Sequence, residues 1–113
     1  MSRPNRRRHD LSPEALELVA VRFRLLGEPT RLMLLTALEE GEKTVGELAE
    51  MLGCTQANVS RHLRALTDAG ILGRRKEGLF VYYYIADPSI FALCDLVCGS
   101  LQKRLNNQVK ALG

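Results

Sequence analysis

A chain of 113 residues is the size of one small domain with room for a single core, so function is expected on its surface or at an interface between copies. With 46% hydrophobic and 26% charged residues and no apolar run near the ~20 residues of a membrane span, the composition excludes disordered, fibrous and membrane-spanning classes and suits a cytoplasmic globular protein. The net charge of +3 is carried by Arg3, Arg6, Arg7 and Arg8 against Asp10, while residues 27–54 are acidic and residues 55–86 basic, an asymmetry that points to an anionic partner.

Residues 1–11 read as a basic arm with no core to join, either a tail or a segment that tracks DNA, and residues 12–110 as the folded domain. Ser12 with Pro13 and Glu14 marks a helix start, after which Leu16, Val19, Ala20, Phe23 and Leu26 recur at helical spacing up to Gly27. A second helix begins around Pro29 and Thr30, carries Leu32, Leu35 and Leu38 as its apolar stripe, and stops at Gly41. Thr44, with Glu47 three residues on, opens a short helix that ends at Leu52. Gly53 and Cys54 make a tight turn, and Thr55 caps a longer helix through Asp68 with Val59, Leu63 and Leu66 inward. Two helices joined by so short a turn form a helix-turn-helix or a plain helical hairpin, which periodicity alone does not separate.

After Ala69 and Gly70 the pattern turns extended. Ile71 and Leu72 lead into Gly73-Arg74-Arg75-Lys76, and Leu79 to Ile85 is aromatic and β-branched, so the segment predicts a hairpin with a basic tip and its bend at Glu77-Gly78. Tyr83 should face away from Tyr82 and Tyr84. A ribbon directly after the second helix of a helix-turn-helix is a wing. From Asp87 and Pro88 a last helix runs to about Val109, with Ile90, Cys94, Val97, Leu101, Leu105 and Leu112 on one stripe. That stripe is long for so small a domain, so part of it should pack against a second subunit. The expected fold is mainly α with a two-stranded β wing, dimeric through the first and last helices.

With Val59, Leu63 and Leu66 inward, 100° per residue places Asn58, Arg61, Arg64, Ala65 and Asp68 on the outer face of the second helix, with Ser60 at its edge and Gln56 in the first turn. Asn, Gln and Arg are base-reading types, and the Thr55 end offers free N–H groups to a phosphate. Arg74, Arg75 and Lys76 would grip the flanking backbone. A solvated polar face is the plainer alternative. His62, near the inward side, is expected to be a hydrogen-bonded packing residue. No phosphate-binding glycine loop or catalytic set is apparent, so enzymatic activity is not expected.

The runs Leu26-Gly27-Glu28-Pro29-Thr30-Arg31-Leu32, Val45-Gly46-Glu47-Leu48-Ala49, Gln56-Ala57-Asn58-Val59-Ser60-Arg61-His62-Leu63, Ala69-Gly70-Ile71-Leu72 and Val81-Tyr82-Tyr83 resemble, in order and spacing, the ArsR/SmtB family of bacterial winged-helix repressors. The resemblance covers about residues 16–101. It implies a homodimer on the first and last helices, binding an inverted-repeat DNA operator and released by a metal, metalloid or other chemical signal. The family's metalloid site, a Cys-x-Cys pair in the first helix of the motif, has no counterpart in Glu47-Leu48-Ala49-Glu50-Met51. Its zinc positions correspond to Asp87, Ser89, Ser100 and Lys103, of which only Asp87 is a ligand type. At the wing tip, Leu79 stands where many relatives carry arginine.

Three cysteines, an odd number, suggest free thiols, ligands or sensors rather than a disulfide framework. Cys94 and Cys98 lie one turn apart on the last helix, and thiolates so placed suit As(III), Cd(II), Hg or Cu(I); packing within the apolar stripe is the competing role. Cys54 is expected either to fill its turn or to sense. Two alternatives to an inducible repressor stay open: a winged-helix protein-interaction module, and a thiol redox sensor.

Overall fold

The computed structural model describes residues 11–112, with the side chains of residues 111 and 112 left aside. The basic arm expected over residues 1–11 lies, but for Leu11, outside the described residues. The elements are α1 (Pro13–Leu26), α2 (Pro29–Glu39), α3 (Val45–Leu52), α4 (Gln56–Asp68), β1 (Leu72–Glu77), β2 (Phe80–Ile85) and α5 (Ser89–Leu112). Their starts follow from the caps. Ser12 Oγ accepts from Ala15 N–H at 3.1 Å, and Thr44 and Glu47 exchange both bonds of a capping box.

The core gathers at the junction of α2, α3, α4 and the root of the wing: Leu34, Leu35, Leu38, Leu48, Val59, Leu63, Leu66 and Ile71 are buried, and Ile90 closes it from α5. α2 lies at its centre, against α1, α3, α4 and β2. That position changes the expected stripe: Leu34 and Ala37 are buried with Leu35 and Leu38, whereas Leu32 is 39% exposed. A central helix is wetted on one narrow side only, so its buried arc is wider than the stripe of a surface helix.

The outer helices do the reverse. On α1 only Leu26 is buried, and Leu16, Val19 and Phe23 are exposed. α5 runs three residues beyond the expected end at Val109, and from Asp95 through Lys110 every residue is exposed, including Val97, Leu101, Leu105 and Val109 of the apolar stripe. No described helix is long and apolar enough to cross a membrane.

β1 and β2 pair antiparallel from Leu72↔Ile85 to Glu77↔Phe80, leaving Gly78 and Leu79 as a two-residue loop. The bend is thus one residue later than expected at Glu77-Gly78, because Gly78, at φ +62, takes the first loop position that a type II′ turn reserves for glycine. Arg74, Arg75 and Lys76 accordingly lie along β1 and not at the tip. The backbone of Lys43 adds an antiparallel bridge to Tyr83, tying the loop before α3 to the wing.

Candidate nucleic-acid interface

The helix-turn-helix is built by α3, the Gly53-Cys54 turn and α4. Cys54 N–H returns to Ala49 O at 3.0 Å, and Thr55 Oγ1 accepts from Asn58 N–H at 3.1 Å, so the turn and the cap fix where α4 begins. Val59, His62, Leu63 and Leu66 anchor its inner side. Thr55, Gln56, Ser60, Arg61 and Arg64 are exposed and Asn58 is half-buried, which puts the residues expected on the outer face on one accessible surface. Asn58 Oδ1 accepts from the Arg61 guanidinium at 2.6 Å, and Arg64 stands 4.0 Å from Asp68. The first pair engages the Asn58 carbonyl oxygen and not its amide N–H groups, and it orients part of the Arg61 fork.

Alternation along the wing divides the basic trio. Leu72, Arg74 and Lys76 share one face with Val81, Tyr83 and Ile85, the face that roots in the core through Leu72 and Tyr83. Gly73, Arg75 and Glu77 share the other with Phe80, Tyr82 and Tyr84. There Arg75 donates to Glu42 and to Glu77 at 2.5 Å each and lies 4.9 Å over the Tyr82 ring. Among the described residues Arg74 and Lys76 make no ion pair. Of the three residues expected to grip phosphate, Arg75 is thus engaged within the ribbon, while Arg74 and Lys76 have no ion-pair partner among the described residues.

A buried polar junction stands behind α4. His62, 3% exposed, accepts at Nδ1 from Arg31 Nε at 3.1 Å, while its Nε2 faces Glu28 Oε2 at 3.6 Å. Arg31 also donates from its terminal nitrogen to Leu25 O at 3.1 Å, and Glu28 caps α2 by accepting from the N–H groups of Thr30 and Arg31. Burial, aided by the positive charges of Arg61 and Arg31 and opposed by Glu28, pushes the His62 pKa below its ordinary 6.5. The packing role expected for His62 is what the geometry has. The sequence signal for its partners is weak, since glutamate is an uncommon N-cap and Arg31 is 31 positions away.

The cysteines do not converge. Cys54 is half-buried in the turn, with its Sγ 3.7 Å from Leu52 O. Cys94 is half-buried on the wall of an apolar cleft of about 580 Å³ between α1, α2 and α5, lined by Phe23, Leu26, Leu32, Leu35 and Phe91, and Cys98 is exposed at the same cleft. Burial, with the nearby charges of Asp95 and Glu39, pushes the Cys94 thiol pKa up. Among the described residues no three His, Cys, Asp or Glu side chains gather to hold a metal. Asp87, the surviving zinc-type position, accepts from the backbone and hydroxyl of Ser89 and pairs with Arg22 at 3.9 Å; it starts α5 and fastens it to α1.

A reading helix exposed beside a charged ribbon, both rooted in one shared core, defines a winged helix-turn-helix DNA-binding protein. Residues 28–73 match the model of the bacterial regulatory proteins of the arsR family. The biofilm growth-associated repressor of Xylella fastidiosa is 36% identical over 102 residues, 87% of this chain and 89% of the relative. A cadmium resistance transcriptional regulatory protein CadC homolog of Staphylococcus aureus is 36% identical over 92 residues, 80% of this chain and 76% of the relative. The solution structure of a homodimeric winged helix-turn-helix DNA-binding domain from Mycobacterium bovis superposes with a TM-score of 0.74 at 28% identity, covering 93% of this chain and 95% of that one. The chain belongs to the arsR family. It is a DNA-binding transcriptional regulator and not an enzyme.

Proposed function

We propose that the chain is a cytoplasmic homodimeric repressor that reads an inverted-repeat operator with Gln56, Asn58, Ser60, Arg61 and Arg64 in the major groove, receives a phosphate at the Thr55 end of α4, and holds the flanking backbone with Arg74 and Lys76. The observation that carries this reading is the exposed outer face of α4, where the Asn58–Arg61 pair faces solvent above a largely apolar inner side. Asn pairs with adenine and Arg with guanine through bidentate bonds that fix sequence, and free cations on the wing add affinity without sequence. Dimerisation through α1 and α5 is supported by their exposed apolar stripes and by the homodimeric relative from Mycobacterium bovis.

The inducer belongs to the same proposal. Cys94 and Cys98, one turn apart on α5, would meet their symmetry mates at a dimer interface, and soft thiolates so gathered suit As(III) or a comparable thiophilic ion. The relative named for cadmium resistance supports a metal signal in general. Because the described residues of one chain do not collect three ligands, occupancy would draw sulfurs from both copies and deprotonate Cys94.

The test is binding of the reduced protein to DNA from its own upstream region at about 150 mM salt, with and without As(III). Tight binding that As(III) abolishes, and that Cys94→Ser with Cys98→Ser renders insensitive, is the expected result. Absence of binding to that DNA overturns the repressor reading. Binding indifferent to As(III) overturns only the choice of inducer.

A further inference from the structure

The wing ends in an apolar point. Leu79 is 97% exposed and Phe80 60% exposed, in a molecule whose other prominent apolar exposures lie mainly on α1 and α5. The two-residue loop is as narrow as a hairpin allows, and Gly78, with open space around it, contributes no side chain. Just behind the point, Arg74 and Lys76 stand exposed on one face, while on the other Arg75 is shared between Glu77 and Glu42. The ribbon is held stiff at its middle by the Glu42–Arg75–Glu77 cluster, the Arg75–Tyr82 stack and the Lys43 bridge to Tyr83.

From these features we infer that the wing is an apolar wedge for the DNA minor groove, with Leu79 as the inserted side chain, Phe80 against the sugar wall and Arg74 and Lys76 on the bordering phosphates. The inference rests on the repressor reading above and goes beyond it. A strand of six residues reaches roughly 20 Å at about 3.3 Å per residue. That spans a major groove about 12 Å wide, so a ribbon rooted beside α4 delivers its tip to the next minor groove. The minor groove is about 6 Å wide, too narrow for two paired strands about 4.8 Å apart with their side chains. Only the loop side chain enters. Leucine at that point has no hydrogen bond to offer a base; what it can do is leave water by pressing against sugars and into a base step, as apolar wedges do. The cations behind it supply the charge complementarity that favours nucleic acid over a protein partner.

The test uses the full-length dimer and an operator oligonucleotide taken from the footprint on its own upstream DNA, with 2-aminopurine at the steps beneath the wing. Wild-type binding is measured first, and its absence sinks the repressor reading rather than the wedge. Leu79→Ser touches no packed side chain, so thermal stability should not change. Affinity should fall about tenfold, the size expected for exposing a largely buried leucine to water, and the 2-aminopurine fluorescence rise seen with the wild type should vanish. The salt slope should stay as in the wild type, whereas Lys76→Ala lowers it. The wedge is overturned by affinity within twofold of wild type with the fluorescence rise intact. It is equally overturned if Leu79→Ser changes only the self-association of the DNA-free protein in sedimentation, which would make the tip a protein contact.

Discussion

The Nε–H of Arg31 donates across 3.1 Å to Nδ1 of His62, so one guanidinium at the start of α2 grips the inner side of the reading helix. The same side chain holds the last-turn carbonyl of α1, Leu25 O, at 3.1 Å. The helix expected at the dimer interface and the helix expected in the DNA groove therefore share a fastening. Arg31→Ala would leave a buried imidazole nitrogen and a carbonyl without donors, at a cost of about 2 kcal/mol in denaturant unfolding. Arg31→Lys should recover little of it, because a single ammonium does not present two separated N–H vectors in a fixed plane. A loss under about 0.5 kcal/mol for the alanine variant, within the range of ordinary surface substitutions, would mean that the fastening carries no weight.

Stability should fall with acid in two stages. Burial first, then Arg61 and Arg31, hold the folded His62 pKa below 6.5 against the opposing pull of Glu28. The unfolded chain then binds more protons than the folded one as pH drops, so this contribution is complete above about 6.5 and is lost as pH falls through the lowered folded value. Protonation also places an N–H on Nδ1, where Arg31 already donates. Burial raises the Glu28 pKa, but the N–H bonds from Thr30 and Arg31 and the charges of His62 and Arg31 outweigh it, and the net value lies below 4.5. Its contribution is present above about 4.5 and disappears at lower pH. Urea denaturation between pH 5 and 7.5 should show a slope in the wild type that His62→Gln flattens; equal slopes in both would remove His62 as the cause.

On the wing, charge and role part company. Arg74→Ala and Lys76→Ala should each reduce the slope of log affinity against log salt by about one, the signature of a single phosphate no longer neutralised. Arg75→Ala should leave that slope nearly unchanged, since its guanidinium already serves Glu42 and Glu77, and should instead loosen the ribbon. Affinity titrations over a salt series distinguish these. Identical slopes for all three variants would restore the undivided grip that the run of basic residues suggests.

The elements were readable wherever local chemistry decides them. Ser12, Thr44 and Thr55 are hydroxyl caps, and each starts a helix where expected. The inward side of α4 at Val59, Leu63 and Leu66 followed from periodicity, and the resemblance to arsR-type regulators held over the whole winged domain. What escaped reading depends on distance or on strand parity. Leu34 is buried because α2 is surrounded, which a one-face stripe does not express. The division of Arg75 from Arg74 and Lys76 needed the register, since placing the bend at Glu77-Gly78 put the trio at the tip and off the pleat. Glu42, and Glu28 in its contact behind α4 though not in its cap of α2, depend on residues more than thirty positions away, Arg75 and His62. The cysteines show the limit of composition: the spacing of Cys94 and Cys98 suggests a soft-ligand pair, yet one thiol lines an apolar cleft and the other is exposed.

Gly73 sits opposite Tyr84 in the ladder, and a Cβ built on it would overlap the Tyr84 ring. The ring lies back across the bare backbone, an arrangement in which an aromatic side chain covers the glycine's gap in the sheet. Gly73→Ala must displace the far end of the half-exposed Tyr84 side chain or bend β1, and should destabilise the domain by about 1 kcal/mol, the low end of what overpacking costs. Tyr84→Ala alone should cost its own packing. If the overlap is the cause, the double variant is less damaged than the two single losses combined, with a coupling of about 1 kcal/mol in urea denaturation. Simple additivity would instead place the requirement for glycine in the strand backbone. Because β1 roots beside α4, the same pair should govern how firmly the wing is aimed, so Gly73→Ala should weaken operator binding more than its loss of stability accounts for.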